Sequence, residues 1–262
     1  MRLDIVRLDV ISRRRSTLAY AVGMALYTLV VVGLYPSFKD STSLDKFITD
    51  DSTAAAIFGV TGNLTSAGGW LNGNIYGNFF PLVMLLLTIA YGAACLAGQD
   101  EDGTLCLLAT LPLPRTRIVI EKAATMALQA AALSFAVAAA VFAGRFFDLN
   151  IAPGNVISIS VATCLMGIDF GLIAMAIGAV TGRRATAAGA GAAVAAVSYL
   201  LNSLATVVSW MGWAKYVSLF YWSVGDNQIV KGVSLADYVV MILIGLCALY
   251  AAVAAFRRAD LH

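Results

Sequence analysis

Long apolar runs broken by short polar stretches set the pattern of this chain. Six runs, Ser16–Leu34, Phe79–Ala97, Ile118–Ala143, Val156–Val180, Ala187–Ser209 and Tyr238–Phe256, stand out. Each is close to or above the ~20 residues that an α-helix needs to cross a hydrocarbon core. The expected fold class is therefore all-α: a polytopic membrane protein with six transmembrane helices. Ahead of the first run, Met1–Arg15 mixes Leu3, Ile5, Val6, Leu8, Val10 and Ile11 with Arg2, Asp4, Arg7 and Asp9 at roughly helical spacing. This predicts an amphipathic interfacial helix over 1–15, the alternative being a plain extension of the first span.

The polar stretches between runs are unequal. Residues 35–78 form a long loop with four acids, Asp40, Asp45, Asp50 and Asp51, and a short apolar helix candidate at Ala54–Val60. Residues 210–237 carry Trp210, Trp213, Tyr216, Tyr221 and Trp222, aromatic residues of the kind that settle at headgroup level. No linker or low-complexity segment divides the chain, so 1–262 reads as a single transmembrane domain.

Composition sharpens this picture. Hydrophobic residues make up 60% of the 262 positions and charged residues 12%, with a mean hydropathy of +0.84, outside the range of soluble domains. The net charge of +2 is nearly neutral and no nucleic-acid patch is present. The placement of charge is more informative. Arg13–Arg15, Arg115, Arg117, Lys122, Arg183, Arg184, Arg257 and Arg258 fall on one side of the spans. The opposite loops hold Lys39, Lys46, Arg145, Lys215 and Lys231. The positive-inside rule then puts both termini and the 99–117 loop in the cytoplasm, with 35–78 and 210–237 outside.

Within that loop, Gln99–Lys122 interrupts apolar sequence in an ordered way. Asp100, Glu101 and Asp102 precede a turn at Gly103, Thr104 is a helix N-cap candidate, and Leu105, Leu107 and Leu108 lead to Pro112 and Pro114. This spacing predicts a short helix with a fixed start and stop. Inside the spans, Asp169 is the single deep acid, set in Gly167-Ile168-Asp169-Phe170-Gly171. An acid there is costly unless paired or facing a polar cavity, so it lines a substrate path or pins a helix contact. The four cysteines show no C-x-x-C pair, and His262 is the single histidine. Nucleotide-loop, nucleophile-elbow and metal-ligand patterns are absent, so no catalytic and no metal site is expected.

The run Glu101-Asp102-Gly103-Thr104-Leu105-Cys106-Leu107-Leu108, followed by Pro112, Pro114, Arg115 and Lys122, resembles the permeases of ABC-2 type transporters. The family pattern usually opens on a glutamate pair, from which Asp100-Glu101-Asp102 departs slightly. The resemblance covers nearly the whole chain and implies a cytoplasmic coupling helix in the 99–117 loop. It implies that Asp100, Glu101, Gly103, Thr104, Leu105, Leu107 and Leu108 contact a separate ABC ATPase subunit. ATP and magnesium would then sit on that partner, with no cofactor bound by this chain. A second permease, identical or related, would complete the assembly in a bacterial cell membrane.

The expected function is the membrane subunit of an exporter, moving a drug-like, peptide or lipid cargo with ATP hydrolysed elsewhere, and not itself an enzyme. One alternative is a non-transporting permease that drives an outer-face partner. Another is a secondary carrier with Asp169 as its ion site.

Overall fold

The computed structural model describes residues 4–39, 66–104, 114–147, 149–208, 211–225 and 227–258. Six helical rods are long and apolar enough to cross a membrane. Their principal helices are α1 (Asp4–Phe38), α2 (Phe79–Ala93), α3 (Arg115–Ala143), α4 (Pro153–Thr181), α5 (Arg184–Val207) and α6 (Leu235–Arg258). Among the described residues there is no strand, as a hydrocarbon solvent demands of a chain that must satisfy its own backbone.

Two boundaries differ from those read off the sequence. The interfacial helix expected over 1–15 is not a separate element: α1 runs unbroken through Arg15 and Ser16 to Phe38, with its one proline, Pro36, in the last turn. Nothing at Arg13–Ser16 stops a helix, since arginine is a good helix former and no cap residue intervenes with a glycine or proline. Its 35 residues span roughly 50 Å, well beyond a hydrocarbon core of about 30 Å, so α1 also supplies the basic turns outside it.

The second span begins at Ala67, not Phe79. Ser66 caps it by accepting from the Gly69 amide at 3.1 Å, and a π turn at Asn72–Tyr76 carries the chain to α2. Gly68 is tolerated there because it packs against Val230, where a Cβ would lie 2.6 Å from a side-chain methyl. The helix candidate Ala54–Val60, Trp210 and the predicted helix over Leu105–Leu108 with Pro112 fall outside the described residues.

α4 is the centre of the bundle, packed by α2, α3, α5 and α6, while α1 lies outside against α3. Two-thirds of the most apolar stretch (67%) is buried in both α4 and the rod containing α2, against 22% in the rods of α1 and α6. Glycine sets how closely α4 is approached. Gly92 of α2 faces the Gly171 carbonyl, and Gly167 and Gly171 lie against Met84 and Met126. No larger residue fits these crossings, the way small-residue faces serve membrane helices.

The 210–237 region folds back into the bundle. A short helix at Leu219–Val224 inserts Phe220 between Phe170 of α4 and Tyr199 of α5, at ring separations of 6.0 and 5.4 Å. Ser218 caps that helix and bonds to the Ser198 carbonyl at 2.6 Å. Two further buried polar pairs form in the same manner: the Tyr76 and Ser160 hydroxyls at 2.7 Å, and the Trp70 indole on the Val31 carbonyl at 2.9 Å.

Candidate functional site

The stretch that carried the resemblance leaves α2 through a second π turn, Ala94–Gly98, and a single helical turn, Gln99–Glu101. That turn ends at Asp102, and Gly103 reverses the chain at φ +68°, a left-handed conformation that glycine adopts without penalty. Asp102, Gly103 and Thr104 are exposed, and no neighbour among the described residues lies within 4 Å of where a Gly103 Cβ would be. Thr104 donates back to the Gln99 carbonyl at 3.2 Å. Leu105, Leu107 and Leu108 lie outside the described residues.

Two acids of this segment lie at the start of the fifth span, a pairing that sequence spacing did not contain. Glu101 accepts the backbone amide of Arg184, the first residue of α5, at 3.0 Å. Asp100 lies beside Gly182, itself left-handed at φ +62° at the end of α4. A carboxylate at a helix N-terminus meets unpaired amides and a favourable dipole end. The start of the loop is therefore fastened to the α4–α5 turn, and the Arg184 side chain covers Gly98.

Where the chain rejoins the bundle after Pro114, a second cluster forms. Arg117 and Glu121, one turn apart on α3, pair at 2.7 Å. The other Glu121 oxygen accepts the amides of Ile5 and Val6 at 3.1 and 3.4 Å, satisfying the first turn of α1. Lys122, 1% exposed, pairs with Asp9 of α1 at 2.7 Å, and the Tyr91 hydroxyl of α2 donates to the same Asp9 oxygen at 2.9 Å. Arg13 lies over the Tyr91 ring at 4.8 Å. Lys122 was named for the resemblance, but the roles of Asp9, Tyr91 and Glu121 were missed; the i, i+4 spacing of Arg117 and Glu121 was the one local signal for this cluster.

Asp169 stands apart from both clusters. It is 2% exposed and lies at the contact of α4 with α6, where a Cβ on Gly245 would come within 2.5 Å of its carboxylate. Its second oxygen has no hydrogen-bond partner among the described residues. Gly167 and Gly171 face the other way, toward α2 and α3, so the three residues expected as one motif serve two different contacts.

A groove of about 650 Å³ runs between α2 and α5. Leu82, Leu86 and Ile89 form one wall, Ala192 and Ala196 the other, and Phe220 closes its base. Asn78 accepts from the Tyr199 hydroxyl at 3.2 Å at one end, the one polar pair of an otherwise apolar lining. Its size is that of small-molecule sites, and Asp169 is not part of it.

Six apolar rods, a tethered acid–glycine turn between the second and third, and a buried ionic cluster at the start of the third agree with one sequence profile. The profile of the ABC-2 family transporter proteins matches residues 3–261. The chain belongs to this family. Comparison with curated proteins returns no match. As an ABC-2 permease it is a multi-pass membrane subunit of an ABC transporter, a family that associates with an ATP-binding cassette subunit.

Proposed function

We propose that this permease is the membrane half of a bacterial exporter, with ATP and magnesium bound and hydrolysed on separate ATPase subunits. Residues 99–114 are the docking loop, on the cytoplasmic side with both termini. The observation that carries this reading is the exposed Asp102-Gly103-Thr104 turn, held out from the bundle by the Glu101–Arg184 bond. An apolar helix beyond it, with Leu105, Leu107 and Leu108 as anchors, would seat in a groove of the partner, and Asp100 and Glu101 would face its basic residues.

Two permeases, identical or related, would complete the pathway. A cargo path that uses the apolar α2–α5 groove would favour an amphipathic cargo, drug-like, peptide or lipid, over a hydrophilic ion. Co-purification with the ATPase subunit encoded beside this chain tests the docking. Leu107→Asp and Leu108→Asp should abolish retention of the ATPase while leaving the permease folded; retention and stimulated ATP hydrolysis at natural levels would refute the assignment. ATP-dependent cargo flux in sealed vesicles separates an exporter from a permease that only drives an outer-face partner.

A further inference from the structure

The first two turns of α3 grip two other helices at once. Arg115 donates to the Phe256 and Arg257 carbonyls at 3.3 and 3.4 Å, closing the C-terminal end of α6, and its guanidinium lies over the Phe256 ring at 6.0 Å. Glu121 holds the first amides of α1, and Lys122 holds Asp9 one turn further along the same helix. Arg115 follows directly on residue 114, where the docking loop re-enters the bundle, and Glu121 and Lys122 lie within the next two turns.

The other end of the loop leads elsewhere, through Glu101 to the α4–α5 turn. The two ends of one loop are thus fastened by polar contacts to two sets of helix ends, α1, α3 and α6 at one and α2, α4 and α5 at the other, while further along the bundle α4 packs against both α3 and α6. The sets meet in this region through a buried apolar cluster that includes Ile118, Met126, Leu172, Met175 and Phe256, and through the Tyr91 hydroxyl, which shares an Asp9 oxygen with Lys122. The contact inside the first set is an ion pair with its lysine buried, while the joint between sets is apolar packing and a hydroxyl bond, both of which can slide. Buried ion pairs do not tolerate separation, because each partner would be left an uncompensated charge.

We propose that Arg115, Glu121 and Lys122 are positioning residues that clamp the start of α3 to the first turns of α1 and the last turn of α6. The clamped ends move as one body when an ATPase pushes the loop. The proposal rests on the docking reading above.

The test uses the full permease with its ATPase subunit in nanodiscs, the four cysteines replaced by alanine. Labelled permease is diluted with unlabelled, and pulsed electron paramagnetic resonance reads two distances without nucleotide and with vanadate-trapped nucleotide. Val10→Cys with Ile120→Cys lies inside the clamp, and Ile120→Cys with Thr186→Cys lies across the two sets; all three positions are exposed. The first distance should stay narrow and unchanged, and the second should shift. In the apolar pair Asp9→Leu with Lys122→Met, the ATPase should stay bound and hydrolyse ATP at its basal rate. The stimulation of hydrolysis that the permease gives over the ATPase subunit alone should fall about tenfold while the first distance broadens. The reversed pair, Asp9→Lys with Lys122→Asp, should recover part of the stimulation.

A first distance that changes with nucleotide overturns the clamp, as does an apolar pair with undiminished stimulation. Should that pair not assemble, the distances in the protein with its natural pair still decide. If the ATPase is not retained at all, or neither distance responds to nucleotide, the docking reading fails and takes the clamp with it.

Discussion

Gly92 and Gly171 let α2 and α4 cross with backbone against backbone. A Cβ at position 92 would be driven into the Gly171 carbonyl and its carbonyl carbon, neither of which can rotate away as a flexible side chain would. Gly92→Ala therefore forces the two most buried rods apart. Overpacking of this kind costs about 3 kcal/mol at the upper end of the usual range. Alanine returns roughly 1 kcal/mol of helix propensity. The net expectation is about 2 kcal/mol of destabilisation, or roughly thirtyfold in the folding equilibrium. Gly23→Ala on the exposed face of α1 is the matched control, because nothing lies within 4 Å of its Cβ position. That substitution should be neutral or slightly stabilising. Thermal unfolding of fluorescent fusions in one detergent, followed by size exclusion, ranks the variants, and steric trapping gives the equilibrium. If Gly92→Ala were as stable as Gly23→Ala, the close crossing of α2 and α4 would be wrong.

Other substitutions test separate contacts. Lys122→Met alone leaves Asp9 without its cation and should cost about 3 kcal/mol or more, while combining it with Asp9→Leu should recover most of the loss in the same unfolding assay. Glu121→Ala removes the acceptor of the Ile5 and Val6 amides, so the first turn of α1 should lose about 1 kcal/mol and be cut faster by limited proteolysis. Gly182→Ala places a side chain at φ +62° and should destabilise by roughly 1–2 kcal/mol, because the left-handed region is strained for alanine. Gly245→Val drives a side chain into the Asp169 carboxylate and should destabilise by about 2 kcal/mol, more than Gly189→Val, which faces open space.

Much of this architecture was legible in the order of residues. Run length alone located all six spans, because only helices that satisfy their own backbone survive in hydrocarbon. The boundaries of the first two were less legible. Asp9 and Arg13 look like surface charges until Lys122 and Tyr91, far away in sequence, are seen against them. The glycine-rich approach to the second span reads as a loop until Val230 is found packed on Gly68. At the candidate site, the acids and Gly103 marked a turn correctly. Glu101, however, serves the N-terminus of α5, a pairing no local spacing contains. Asp169 was conspicuous as a lone acid, whereas the hollow that receives it is Gly245, an unremarkable glycine in the last helix.

The central claim, that the loop after the second span is the seat of an ATP-hydrolysing partner, is tested most directly by photocrosslinking. A benzophenone amino acid placed at Thr104 or Leu108 of the full permease in its native membrane should give, on irradiation, an adduct whose mass and peptides belong to an ATP-binding cassette subunit. A control position on the opposite end, such as Trp213, should not give that adduct. Crosslinks at Thr104 and Leu108 to lipid alone or to a chain that binds no nucleotide, or the same ATPase adduct from Trp213, would contradict the account.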